Sequence, residues 1–216
     1  MFYEEDIKKV IDNHTGLFFH EDLKLLKGQL NINHTFCDEH IIAAYDIEIH
    51  VPEDYFKKLP RIKNIDKKVP LSFEHIYQTG ELCLATDADQ LVFFAEGNDL
   101  NDWVNSYVIP YFFAVEYYKK YKIYPFGERK HGVEGILEYY FEVFNVNEAK
   151  QVVGILHYIT SNRYRGHAEC PCGSGKKLRD CHKEVILHWN QEKYRNILLD
   201  DYQLLVNSTR RPYAGY

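Results

Sequence analysis

The chain has 216 residues, 45% of them apolar and 15% aromatic, enough for one large domain or for a domain with an appendage. A formal charge of -6 argues against a general nucleic-acid binder, and the most apolar run, YVIPYFFAV at 107–115, is too short to cross a bilayer. The charged N-terminus MFYEEDIKKV has no apolar signal core. The odd cysteine count, with three crowded into one stretch, fits metal binding in a reducing cytoplasm better than disulfides.

In chain order, Phe2, Ile7, Val10 and Ile11 have roughly helical spacing and predict a helix over 2–13. Extended segments follow over LFFHEDLKLLKGQLNIN and HIIAAYDIEIHV. In the second, Tyr45, Ile47, Ile49 and Val51 alternate with Asp46, Glu48 and His50, as in a strand with one buried face, and Pro52 ends it. A weaker strand is expected around PRIKNI. No helix-length segment separates these strands, so they predict an antiparallel meander.

Beyond Cys83 the period changes. Leu100, Trp103, Val104, Tyr107, Val108, Tyr111, Phe112, Val115 and Tyr118 fall on one helical stripe, with Asn98 or Asp99 as its cap and Pro110 set to kink or split it. EGILEYYFEVFN and EAKQVVGILHYIT predict two more helices, and a last one falls within 184–206. The fold class is α+β: an antiparallel β-meander packed with helices over 1–147, then a small helical appendage over 148–216 that carries the cysteine cluster.

Within that appendage Cys170, Cys172, Cys181 and His182 have the spacing C-x-C-x8-C-H. Four such ligands suit the tetrahedral preference of zinc, and Gly173 and Gly175 supply the turns between the two pairs. With every position taken by a protein ligand no site is left for water, so the expected ion is structural. CPCGSGKKLRDCH resembles the SEC-C zinc motif, here about 167–183, which implies zinc and a docking role and says nothing of catalysis. Around it Arg163, Arg165, Lys176, Lys177, Arg179 and Lys183 outnumber Glu169 and Asp180. That patch reads either as the solvated face of a zinc loop or as a contact for an acidic partner or RNA.

Cys83 stands between two leucines, where a cysteine is ordinarily core. Three neighbours favour a presented thiol: Gly80 as a turn, Asp87 with Gln90 as a capping box opening a helix, and His75 upstream. KVPLSFEHIYQTGELCLAT resembles the active-site segment of ubiquitin-conjugating enzymes, above all the compact bacterial UBC-fold family found in anti-phage defence operons. His75, Gly80, Cys83 and Leu84 carry the match, and the order of elements agrees over roughly 1–145. The resemblance implies that Cys83 takes a ubiquitin-like protein or protein C-terminus from an activating enzyme as a thioester and passes it to an amine of a protein substrate. The family has His-Pro-Asn where this chain has His75-Ile76-Tyr77, so the oxyanion-supporting asparagine is absent; the Tyr77 hydroxyl substitutes for it only if turned inward.

The helix after Cys83 is expected to favour thiolate, while Asp87 and Asp89 oppose it and help deprotonate an incoming lysine. In YPFGERKHGVEGILEYY, Glu128, Arg129 and His131 fall on a loop before a helix. Compact bacterial relatives have a similar Gly–His loop, which implies His131 as proton acceptor. Cys37, followed by Asp38 and Glu39, is expected to be unreactive. Other readings stay open: a Cys–His–acid hydrolase, an inactive UBC-fold adaptor that docks a protein or RNA partner through the zinc motif, and, more remotely, an RNA- or ribosome-associated zinc protein. The acidic net charge argues against the last.

Overall fold

A computed structural model describes residues 3–36, 38–70, 72–127 and 130–210; Phe2, Cys37, Glu128 and Arg129 lie outside them. The class is α+β, and the chain divides into two compact units, Met1–Glu128 and Arg129–Tyr216.

In the first unit α1 (Tyr3–Asn13) buries Ile7 and Val10. Four strands follow: β1 (Leu17–His20), β2 (Leu25–Phe36), β3 (Glu39–His50) and β4 (Arg61–Asn64). They form one antiparallel sheet in the order β1-β2-β3-β4, the meander that the uninterrupted strand pattern predicts. The long β2–β3 ladder runs from Leu25 opposite His50 to Phe36 opposite Glu39. Tyr45, Ile47, Ile49 and Val51 are buried, and Asp46 and His50 face outward. The segment PRIKNI supplies β4, which pairs with Ile47–His50.

Helices α2 (Asp87–Ala95), α3 (Leu100–Trp103) and α4 (Ile109–Tyr121) complete the unit. Asp99 caps α3 and Asp102 returns the bond, a full capping box. The expected break at Pro110 takes another form. Proline has no N–H to donate and crowds the carbonyl one turn back. A π-helical turn, Val104–Val108, absorbs both effects just before it, and α3 runs through that wider turn into α4. The buried stripe survives: Leu100, Trp103, Val104, Val108, Phe112 and Val115 all join the core, and Tyr45 stacks on Phe112 with ring centroids 4.2 Å apart.

The cap of α2 is a correction. Thr86, not Asp87, is the N-cap, its side chain accepting from the Asp89 N–H at 3.2 Å. Gln90 turns inward: its amide donates to the Ala85 carbonyl at 3.1 Å and its oxygen accepts from Trp103 Nε1 at 2.9 Å. A fully buried indole N–H needs an acceptor, and Gln90 supplies it.

The second unit contains α5 (Gly132–Phe144), α6 (Ala149–Ser161), α7 (Lys183–Trp189) and α8 (Glu192–Arg210). The sequence pattern groups the α5 segment with the strands, but α5 packs on α6 and α8 and belongs here. The single helix expected within 184–206 is two, interrupted at Asn190. That side chain donates to the Ile159 carbonyl at 3.2 Å and to the Asn162 carbonyl at 2.9 Å, satisfying groups left open at the end of α6. Among the described residues no helix is long and apolar enough to cross a membrane.

Candidate functional site

Residues 75–83 form a tight hairpin. The Tyr77 N–H donates to the Glu81 carbonyl (2.8 Å), the Gly80 N–H to the Tyr77 carbonyl (2.8 Å) and the Cys83 N–H to the His75 carbonyl (2.9 Å). Gly80 has φ +79°, a left-handed value open to glycine without steric cost. The returning arm joins β4 through the Leu82 N–H and the Ile62 carbonyl, 2.9 Å apart.

Register then decides which way the sulfur faces. Ile76 bridges to Leu82 and Lys63 to Glu81, both antiparallel. Residues opposite one another share a face of the ladder, and successive residues alternate. Ile62, Leu82 and Ile76 therefore share one face; Ile62 and Leu82 are buried and Ile76 packs against the same core. The other face carries Tyr77, His75, Glu81, Cys83 and Lys63, and the same register carried one step further sets Arg61 opposite Cys83. Cys83 is half-buried on this outer face and is not a core residue.

A ring nitrogen of His75 lies within 4.8 Å of the Cys83 sulfur. The imidazole meets Phe73 and Tyr124 edge-on, with centroids 5.6 and 5.3 Å away. Its carbonyl accepts a second bond, from the Tyr111 hydroxyl of α4 at 2.9 Å, which pins the hairpin to the helix. The Tyr77 hydroxyl lies near enough to the Cys83 sulfur to favour its thiolate. Burial, reinforced by Cys83, pushes the Tyr77 hydroxyl well above its ordinary value, so it remains a proton donor at neutral pH.

Burial also pushes the Cys83 thiol up. Tyr77 and Arg61 favour the thiolate and Asp87 opposes it, and the net direction is upward. The thiolate expected from the start of α2 therefore does not prevail, and the resting group is the thiol. Asp87 in turn pairs with Arg61 at 3.3 Å. Arg61 and Tyr111 were not singled out by sequence reasoning: they lie 22 residues before and 28 after Cys83. The one available signal was a pairing of PRIKNI with ELCL. His131 is in the second unit, at the residue before α5.

The cysteine cluster is a compact knuckle. The Cys170 N–H donates to the Lys176 carbonyl and the Leu178 N–H to the Ala168 carbonyl, each 2.8 Å, with Leu178 wholly buried as the anchor. A one-turn 3-10 helix, Leu178–Asp180, delivers Cys181, and His182 follows immediately before α7. The ligand atoms of Cys170, Cys172, Cys181 and His182 all lie within 4.8 Å of one another. Cys172 and Cys181 sulfurs are 3.6 Å apart, and His182 Nδ1 is 3.2 Å from the sulfurs of Cys170 and Cys181. A tetrahedron with metal–sulfur bonds of 2.3 Å has sulfur–sulfur edges of about 3.8 Å. Burial pushes the Cys170 thiol up to about 12, a penalty that a cation removes by displacing the proton. The donor set and its spacing are compatible with zinc.

The knuckle is seated on α6. A Cβ added at Gly154 would lie 2.4 Å from the Pro171 carbonyl oxygen, so only glycine permits this approach. Arg163, Arg165, Lys176, Lys177, Arg179 and Lys183 are all exposed around it, with Arg179 pairing to Asp180 at 3.5 Å and Lys183 to Glu184 at 3.4 Å.

Residues 168–184 match the family described as SEC-C motif. No curated protein and no solved structure matches the chain.

Proposed function

We propose that the first unit is a ubiquitin-conjugating-like acyl carrier and that the second is organised around a structural zinc ion. Cys83 takes the C-terminus of a ubiquitin-like protein or protein tail from an activating enzyme: a sulfur–acyl bond forms to Cys83 as the one to the activating enzyme's thiol breaks. An amine of a protein substrate then attacks. A carbon–nitrogen bond forms, the carbon–sulfur bond breaks and the electron pair returns to sulfur.

The observation that carries this reading is the outward row of the hairpin, which puts a half-buried thiol beside a protonated phenol and an aromatic-packed imidazole. Tyr77 supplies the hydrogen bond to the tetrahedral oxyanion that the family obtains from asparagine. His75 serves the architecture of the loop. In the second unit Cys170, Cys172, Cys181 and His182 would hold zinc, which when bound supplies cross-linking of a loop too small to have its own core.

Incubation with the cognate activating enzyme, ATP and donor should add a band on a non-reducing gel. Thiol reductant should remove it, Cys83→Ala should abolish it and Cys83→Lys should retain it as an amide. The upward push on the Cys83 thiol favours a second reading, an adaptor of the same fold that docks a protein or RNA partner through its zinc motif. No adduct on Cys83, together with partner binding that zinc chelation abolishes, would establish the adaptor instead.

A further inference from the structure

We propose that Arg61 is the cation that stabilises negative charge on Cys83, and that Asp87 keeps it in reserve until a cationic amine arrives. The purpose rests on the acyl-carrier reading; the geometry rests on the β4 register alone. Lys63 opposite Glu81, with Leu82 bonded to Ile62, brings Arg61 opposite the sulfur on the outer face. Within the first unit, the charged and titratable groups near that sulfur include His75, Tyr77 and Glu81 from the hairpin, Arg61 and Lys63 from β4, Asp87 from α2 and Tyr111 from α4. Lys63 is matched by Glu81 across the ladder. Arg61 is the cation opposite Cys83, and it is shared with Asp87 at 3.3 Å.

Acyl transfer leaves an electron pair on sulfur at each departure, so a cation opposite the sulfur acts at the moment charge appears. The arriving group, if a lysine-type amine, comes mostly as ammonium and must shed its proton before attack. Asp87, with 56% of its side chain exposed, can receive it. Exposed ion pairs are weak and exchange readily, so an ammonium that engages Asp87 releases Arg61 towards the sulfur. The site thereby prefers a cationic alkylamine acceptor to a hydroxyl or a neutral group.

The test follows modification of Cys83 in the full chain by neutral iodoacetamide and anionic iodoacetate across pH, with the peptide read by mass spectrometry. Arg61→Gln should raise the pH midpoint and slow iodoacetamide about threefold to tenfold near neutrality, a shift of roughly half to one pK unit. It should also reduce the preference for iodoacetate, and Arg61→Lys should restore much of both. Asp87→Asn should act in the opposite direction, with most of its effect lost in the Arg61→Gln background. Nα-acetyl-lysine methyl ester, whose side-chain ammonium is free, should speed modification of the unaltered chain and leave Asp87→Asn unaffected. An unchanged midpoint and reagent preference in Arg61→Gln, or the same Asp87→Asn effect with and without Arg61, would overturn the proposal; circular dichroism of each variant checks folding, and Arg61→Lys provides the comparison if Arg61→Gln is unstable. A chain that never forms a thioester yet shows this alkylation pattern loses the acyl-carrier reading and keeps the role of Arg61.

Discussion

The Cys170–His182 knuckle and the His75–Cys83 hairpin are both small turns held by a few backbone bonds, yet they direct sulfur differently. In the knuckle three thiols and an imidazole converge within 4.8 Å, and each answers to the others. In the hairpin a single thiol faces outward, and its partners come from β4, α2 and α4 as well as from its own loop. Converging ligands need only a short contiguous stretch; a presented thiol needs a sheet to set its neighbours. The first arrangement is compatible with a bound metal ion; the second sets a half-buried thiol on the outer face of a ladder.

The largest expected effect breaks the knuckle and leaves the hairpin alone. Cys172→Ser should abolish stoichiometric zinc in native mass spectrometry and remove amide-exchange protection over residues 163–183. Binding energy at such sites is local folding energy, about 10–16 kcal/mol in isolated zinc-finger peptides. Modification of Cys83 should be unchanged, because Tyr77, Arg61 and Asp87, which bias its thiol, belong to Met1–Glu128. A folded chain that binds no metal and carries a disulfide among the cluster cysteines would show that convergence here serves a covalent bond.

The next effect belongs to the hairpin. Tyr77→Phe removes the hydroxyl at the sulfur and keeps the ring. Removing one oxyanion donor costs about 100- to 1,000-fold in rate, so acyl transfer to an amine should fall by that order while zinc content stays constant. An unaltered single-turnover rate would reduce Tyr77 to a surface tyrosine.

The same contrast explains what could be read from the chain itself. The knuckle was legible because its ligands fall within 13 residues and its turns are marked by glycine. The meander was legible through the Tyr45–Val51 alternation and the absence of helix-length gaps. Arg61 was not, because its position depends on which strand adjoins ELCL, and periodicity does not specify strand neighbours. The π turn was not, because proline signals disruption without saying whether the helix breaks or widens. The α2 cap falls one residue before the expected Asp87, because the Thr86 side chain accepts from the Asp89 N–H and the buried Trp103 indole claims Gln90.

A smaller effect tests how the knuckle is seated. Gly154→Ala places a methyl 2.4 Å from the Pro171 oxygen, a contact with backbone that cannot rotate away. Overpacking of this kind costs about 1–3 kcal/mol. Denaturant unfolding of the second unit should shift to lower concentration and zinc should be released more readily to a chelator. Unaltered zinc retention would mean that the loop moves off α6 at little cost.

The smallest effect links a helix cap to the thiol. Thr86 has extended backbone angles, φ -63° and ψ 150°, and its side chain accepts from the Asp89 N–H, satisfying one of the open donors of the first turn of α2. Thr86→Ala should cost about 1 kcal/mol, measured by denaturant unfolding, and Thr86→Ser should recover most of it. That first turn also holds Asp87, the partner of Arg61. Fraying it loosens the ion pair and turns Arg61 towards the sulfur, so Cys83 in Thr86→Ala should react modestly faster with iodoacetamide. Asp87→Ala removes the same carboxylate but leaves the cap, and should speed the reaction with little loss of stability. A neutral Thr86→Ala beside a costly Asp87→Ala would return the cap to Asp87 and detach the start of α2 from the chemistry of Cys83.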